Sequence, residues 1–267
     1  MIKEILPRRN TLVRKDPTEQ TLAQVLAVNF DRIVIAQPLS DVNLGRLARE
    51  LVVAHETGAA VSVVLTKADL AESDKAQAEC VAKVKGLVGL DGVIVVSAED
   101  AASIEEVRAL IPPGEVVVMV GRSGVGKSSL VNLLVGHEAQ KVADVREADG
   151  KGRHTTSSRE MVQVPGGGYI VDMPGIRGLG LWDAEGGIEA AFPDIKGLAE
   201  NCRFRDCQHG SEPGCAVTAA VREGTLSGSR LESYRKLKGE TKLMQERREE
   251  AQRAQARQGH PRRHAEK

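Results

Sequence analysis

Short apolar runs recur at residues 24–29, 32–36, 60–65, 92–96, 115–120 and 168–172, each of a length suited to a buried strand. Between several of them the apolar positions fall instead at helical spacing, over residues 42–57, 71–88, 104–110 and 127–135. Strands alternating with helices predict an α/β fold with a mostly parallel sheet covered on both faces. The runs 24–29 and 32–36 are expected to begin that sheet. After residue 195 the pattern changes to a Cys- and His-containing segment. Residues 226–258, rich in Arg, Glu, Gln, Lys and Ala, then predict a long helix. Its only clear apolar spacing, Leu231, Tyr234 and Leu237, predicts docking near the start and a solvated end from Gly259 on.

At 267 residues, 41% apolar and 28% charged, the chain can bury a full core with room for appendages. Lys plus Arg and Asp plus Glu each total 37, so overall charge does not point to nucleic acid. Local charge does: residues 230–267 hold twelve Lys or Arg against six Glu, a basic tail on a neutral chain. Aromatics are 2% of the chain, so any RNA affinity must rest on phosphate contacts rather than base stacking. No stretch approaches the roughly 20 apolar residues that cross a bilayer, and no apolar signal region follows the first charges. A cytoplasmic protein without a membrane partner is the expectation.

The strand pattern 115–120 leads into Gly121-Arg122-Ser123-Gly124-Val125-Gly126-Lys127-Ser128-Ser129 and then an apolar helical stretch. This is a phosphate-binding loop in its required strand-to-helix context. The glycines let backbone N–H groups close around phosphate oxygens at a helix N-terminus. Lys127 is expected to neutralise the β and γ phosphates and Ser128 to give an oxygen to Mg²⁺.

That loop does not name the base. Thr66-Lys67-Ala68-Asp69 follows the run 60–65, where the loops of a parallel sheet meet ligands. The Asp69 carboxylate can accept from guanine N1–H and the exocyclic amine, whereas adenine lacks that amine. Leaving such a buried carboxylate unpaired would cost several kcal/mol. Lys67 can lay its stem over the purine face. Ser97-Ala98 is a second candidate, with the Ala98 N–H aimed at guanine O6.

Past the phosphate loop, the run 168–172 ends in Asp172-Met173-Pro174-Gly175, expected to hold Mg²⁺ through Asp172 and to meet the γ-phosphate through the Gly175 N–H. The polar segment 150–157 offers Thr155 and Thr156 as Mg²⁺ ligands, and both remain open. Ile176 stands where a water-orienting Gln is familiar in Ras-like enzymes. An apolar side chain cannot orient water, so intrinsic hydrolysis should be slow. Cys202, Cys207, His209 and Cys215 place four soft ligands inside fourteen positions, a closed zinc set that should fold a module rather than catalyse.

The motif order resembles the small ribosomal subunit biogenesis GTPase family RsgA over nearly the whole chain. T-K-A-D and S-A precede the phosphate loop, then come H-T-T, D-M-P-G and Cys-x4-Cys-x-His-x5-Cys. Ile5-Leu-Pro-Arg-Arg9, Arg153-His-Thr-Thr156, Phe192-Pro-Asp-Ile195, Cys202-Arg-Phe-Arg-Asp-Cys-Gln-His209 and Glu212-Pro-Gly-Cys-Ala-Val217 carry it. The resemblance implies a circularly permuted P-loop GTPase domain over 25–198 and a zinc-binding domain with a basic helical tail over 199–267. Residues 1–24 would be the remnant of an OB-fold that needs far more chain. It also implies GTP and GDP as ligands, action on the small ribosomal subunit and its rRNA, and a catalytic His154 beside Lys127. A monomer is expected. Thr66 stands where the family usually has Asn, which should weaken the brace between base loop and phosphate loop. Two other readings are an RNA-binding zinc scaffold with incidental GTP turnover and a P-loop kinase for ATP; Asp69 disfavours the second.

Overall fold

The structure, a computed structural model, describes residues 3–15, 23–88, 92–136, 160–173 and 185–258. Six strands form the main sheet: β3 (Arg32–Pro38), β4 (Ala60–Thr66), β5 (Val93–Val95), β6 (Val116–Val120), β7 (Glu160–Gln163) and β8 (Tyr169–Asp172). Their order is β5-β4-β3-β6-β8-β7, with β7 antiparallel to β8 and every other pair parallel.

The run 24–29 does not open this sheet. It forms β2 (Ala23–Val28), which pairs antiparallel with β1 (Thr11–Lys15) in a separate two-stranded sheet with a bulge between Leu12 and Val13. Asn29 takes a left-handed φ of 56° and turns the chain, so β2 and β3 cannot continue as one strand. Leu12 and Leu26 still bury against the main core, and Asn10 pins the hairpin by donating to Phe30 O and accepting from Phe30 N–H.

Alternation along β3 explains why the sheet is covered twice. Ile33 and Ile35 face Leu47 and Leu51 of α1 (Leu44–Glu56), while Val34 faces Leu130, Val131 and Leu134 of α4 (Lys127–Val135). A one-residue slip would exchange the faces and expose both sets. α2 (Asp74–Val88) joins the first face and α3 (Ala101–Arg108) the second. The helix starts are capped as their sequences suggest: Asn43 Oδ1 accepts from Arg46 N–H at 2.9 Å, and Asp100 Oδ1 from Ala102 N–H at 3.0 Å.

The C-terminal part adds α5 (Glu185–Ala191), α6 (Pro193–Ala199), α7 (Ala216–Arg222) and α8 (Gly228–Gln258). Leu231, Tyr234 and Leu237 are buried, which is the docking stripe expected at the start of α8. The buried Arg230 guanidinium secures it, donating twice to Asp194 at 2.7 and 2.8 Å, to Ala191 O at 3.0 Å and to Leu87 O, and it lies 4.7 Å from the Phe192 ring centroid. One helical turn beyond Leu237, Glu240 takes a forked pair of bonds from Arg49 of α1 at 2.6 and 2.9 Å.

Candidate functional site

The C-terminal ends of β4, β6 and β8 lie along the same end of the sheet, with β3 between β4 and β6, and each carries one of the sequence-predicted nucleotide elements. After β6 the chain turns through residues 121–126 into α4. Gly121 has a φ of 151°, and a Cβ there would sit 2.6 Å from Ala36 O, so the loop can rest on β3 only with glycine at this position. Gly126, at φ 97°, caps α4 and leaves the helix N-terminus open to an anion. Arg122, Ser123 and Gly124 are exposed, Val125 is buried, and Ser128 and Ser129 are half-buried. Lys127 is only 6% exposed, yet its Nζ donates to Gly121 O at 2.9 Å and Arg122 O at 3.0 Å. Its ammonium is therefore curled back over the loop, placed where phosphates would lie. Burial lowers its pKa, and Asp172 and Glu50 oppose that shift.

The candidate base-reading turn follows β4, across β3 from the phosphate loop. Lys67 takes a left-handed φ of 59°, which bends the chain after β4 into the 3-10 turn Ala68–Leu70 and presents Asp69. Asp69 Oδ1 accepts from Ser97 Oγ at 3.2 Å, and Ala68 N–H donates to Val96 O, so the two candidate base segments meet. Ser97 is held in turn by Ser103, whose Oγ accepts the Ser97 N–H. Ala98 is exposed beside them. Asp69 itself is exposed. Its desolvation penalty would therefore arise only when a base covers it, and discrimination would then be made in the complex.

Thr66 joins the two loops. Its Oγ1 lies 2.5 Å from Val125 O in the phosphate loop and 3.2 Å from Gln37 O at the end of β3. The brace expected to be weakened by Thr is present, since the Thr66 hydroxyl reaches Val125 O directly. Replacing Asp69 by Asn is expected to weaken GTP about tenfold or more and to improve relative use of xanthosine triphosphate, because an amide donates to the carbonyl that replaces the guanine amine. Competition titration checks this; unchanged base preference would remove Asp69 from the site.

At the end of β8, Asp172 is fully buried, and its Oδ2 accepts from Ser128 Oγ at 3.3 Å. Its Oδ1 is buried with no hydrogen-bond partner among the described residues. Burial pushes the Asp172 carboxyl up, while Lys127 and the Ser128 hydroxyl pull it down. An oxygen pair with an orphaned acceptor in a low-dielectric setting fits a magnesium ion, which would relieve both penalties. His154, Thr155, Thr156 and Gly175 lie outside the described residues, as does Ile176.

The second cluster forms between α6 and α7. Cys202 Sγ is 3.6 Å from His209 Nδ1 and 3.8 Å from Cys215 Sγ, Cys215 Sγ is 3.5 Å from His209 Nδ1, and all four ligand atoms, Cys207 included, lie within 4.8 Å of one another. A tetrahedron with Zn–S of about 2.3 Å and Zn–N of about 2.0 Å has S···S edges near 3.8 Å and S···N edges near 3.5 Å, so the donor set fits zinc in size as well as chemistry. The loop is shaped for it: His209 adopts φ 57°, Glu212 accepts from the Gln208 and Gly210 N–H groups, and Cys215 caps α7. Burial opposes ionisation of Cys215, but the Thr218 hydroxyl and N–H and the His209 ring outweigh it and bring the thiol down to about 6. The His209 ring packs 6.0 Å from Tyr234 of α8, whose ring meets Phe192 edge-on at 5.6 Å.

Sequence reasoning missed the supporting polar groups, Ser103, Glu212 and the buried pair Gln37 and Glu50. The last two left a faint signal, since Gln37 directly follows the apolar run 32–36 and Glu50 falls between Leu47 and Leu51 of an apolar helical stretch.

A phosphate loop, a candidate base-reading turn and a buried carboxylate at one end of the sheet, with the strand of that turn earlier in the chain, match the arrangement of a circularly permuted P-loop GTPase. The RsgA GTPase family model matches residues 5–182, and the chain belongs to that family. The small ribosomal subunit biogenesis GTPase RsgA of Streptomyces coelicolor is 43% identical over 99% of this chain and 72% of its own length. That of Streptomyces avermitilis is 44% identical over 88% of this chain and 64% of its own length. YjeQ from Thermotoga maritima is 28% identical with a TM-score of 0.65, over 90% of this chain and 77% of that one. YloQ, a circularly permuted GTPase, is 25% identical with a TM-score of 0.66, over 91% and 75%.

Proposed function

We propose that this chain binds GTP across the Thr66–Asp69 turn and the 121–129 loop, hydrolyses it, and uses the cycle to assist late maturation of the small ribosomal subunit. The observation that carries the nucleotide reading is the Thr66 hydroxyl on Val125 O, which ties the candidate base loop to the phosphate loop. Asp69, with Ser97 and Ala98, reads guanine. The Gly121–Ser129 segment and Lys127 hold the phosphates. Ser128, Asp172 and either Thr155 or Thr156 ligate Mg²⁺, and Gly175 N–H meets the γ-phosphate. Mg²⁺ would supply charge neutralisation between the β and γ phosphates. The subunit reading rests on the names of the relatives, together with the basic composition of residues 230–267.

In this reading residues 1–28, which include the β1–β2 hairpin, belong to an OB-fold, 32–198 to the GTPase domain and 199–267 to the zinc domain; the first boundary lies past the expected residue 24 because β2 pairs with β1 and not with the main sheet. The zinc domain carries one Zn²⁺ held by Cys202, Cys207, His209 and Cys215. The protein acts as a monomer in the cytoplasm; among the described residues no helix is long and apolar enough to cross a membrane. Co-sedimentation with purified small subunits tests the partner: retention with a non-hydrolysable GTP analogue and release with GDP is expected, and equal recovery in both states would refute a GTP-driven cycle.

In this reading His154 belongs to a loop that closes over the γ-phosphate, where a neutral imidazole would position water without acting as a full base. His154→Ala should lower subunit-stimulated kcat by roughly 10- to 1000-fold with little change in nucleotide affinity. A stimulated kcat within about twofold of wild type would leave water placement to backbone or ribosome.

A further inference from the structure

Behind the nucleotide loops, two buried polar side chains serve neither phosphate nor base directly. Gln37, at the end of β3, is fully buried, and its Nε2 donates to Glu50 Oε2 of α1 at 2.5 Å; Glu50 is 5% exposed. The Gln37 backbone is the seat of both loops. Its carbonyl accepts from Thr66 Oγ1, and the preceding Ala36 O lies against Gly121. Gln37 Oε1 is buried and has no hydrogen-bond partner among the described residues.

The charged groups facing Glu50 are Arg46 from its own helix, Lys127 from α4 and Arg122 from the phosphate loop. Burial outweighs the Gln37 hydrogen bond and these three cations, and it pushes the carboxyl up to about 7. Both charge states are therefore populated near neutral pH. The protonated form carries the O–H donor that Gln37 Oε1 otherwise lacks. Arriving phosphates bring several negative charges to Lys127 and the loop. They compete with an ionised Glu50 for the same cations and favour its neutral form.

We propose that Glu50 is a positioning residue for the two nucleotide loops, acting through Gln37, and that it takes up a proton when a nucleoside di- or triphosphate binds. This rests on the reading of the 121–129 loop as the phosphate site. Linkage fixes the sign: binding that consumes a proton weakens as pH rises through the range in which free Glu50 ionises, by at most about tenfold per pH unit.

Calorimetric titration of the full chain with GDP and Mg²⁺, at pH 7 in buffers of different ionisation enthalpy, counts the protons taken up. Glu50→Gln keeps the shape and removes the titration, and subtracting it cancels ionisation of the nucleotide itself. Wild type is expected to take up about 0.3 to 0.5 proton more than Glu50→Gln, and to lose about 3- to 10-fold more affinity between pH 6 and 8.5. Equal proton counts and parallel pH profiles would overturn the proposal. Gln37→Leu provides an independent arm, because it keeps the Glu50 carboxyl but removes both of its Gln37 partners, the Nε2 donor to the ionised form and the Oε1 acceptor for the neutral one. Its pH window should differ from that of wild type, and an unmoved window would also overturn the proposal. Wild type failing to bind GDP at any pH would overturn the phosphate-site reading as well.

Discussion

Replacing Lys127 with Ala is expected to weaken GTP binding by about 100- to 10,000-fold, the range for two or three lost charge-assisted hydrogen bonds of about 1.5–3 kcal/mol each, less some rearrangement. The ammonium is buried and is already braced over the loop by Gly121 O and Arg122 O, so little ordering remains when phosphates arrive. Truncation also leaves Asp172 without the cation that draws its pKa down, in a place where burial already disfavours its charge. Fold should survive, since among the described residues Lys127 Nζ bonds only loop carbonyls and the α4 core contacts come from Leu130, Val131 and Leu134. Titration with a fluorescent GTP analogue reads the loss, and circular dichroism the intact fold. Retained micromolar affinity would contradict the phosphate-loop assignment.

The second large effect belongs to the metal. Protein purified without chelator should carry about one zinc per chain, and Cys207→Ser should release it, because a serine hydroxyl is a poor ligand for a site built on thiolates. Structural zinc contributes on the order of 10 kcal/mol to its own module. The segment from Cys202 to Cys215 should lose its order, and with it the contact of His209 on Tyr234 that joins this loop to α8. Nucleotide affinity should change less than about threefold, since the phosphate loop rests on β3 and β6, away from the cluster. Elemental analysis combined with GDP titration reads both. Wild type without stoichiometric zinc, or a Cys207→Ser chain that keeps it, would contradict the assignment.

How much could be read beforehand follows from how each element is specified. β3, β4, β6 and β8 appeared within one or two residues of their ends because buried parallel strands are uninterrupted apolar runs. α4 was legible at both ends, since Gly126 opens it and Gly136, at φ 81°, closes it. β7 was missed because an edge strand with Met161 60% exposed has no apolar face to announce it. The turn at Asn29 was missed because a left-handed residue other than glycine looks ordinary in sequence. Helices α5 to α7 are single-turn or two-turn pieces held by Arg230, Phe192 and the Cys/His loop, and so are set by tertiary contacts rather than by periodicity.

The nucleotide and zinc residues were legible as motifs, while their geometry was not. The position of Thr66 suggested a weakened brace, and only the close approach of Val125 O reveals that a hydroxyl can span the gap. The Gln37–Glu50 pair joins residues 13 apart on a strand and the following helix, a meeting that no local pattern encodes.

The most direct measurement is multiple-turnover GTP hydrolysis, followed by phosphate release, with and without purified small ribosomal subunits at equal protein concentration. Slow intrinsic release accelerated about tenfold or more by the subunit is the expected result, because Ile176 offers the attacking water no polar partner and the completed site must come from the complex. Phosphate release no faster than the protein-free blank in either condition, or a rate indifferent to the subunit, would contradict the account.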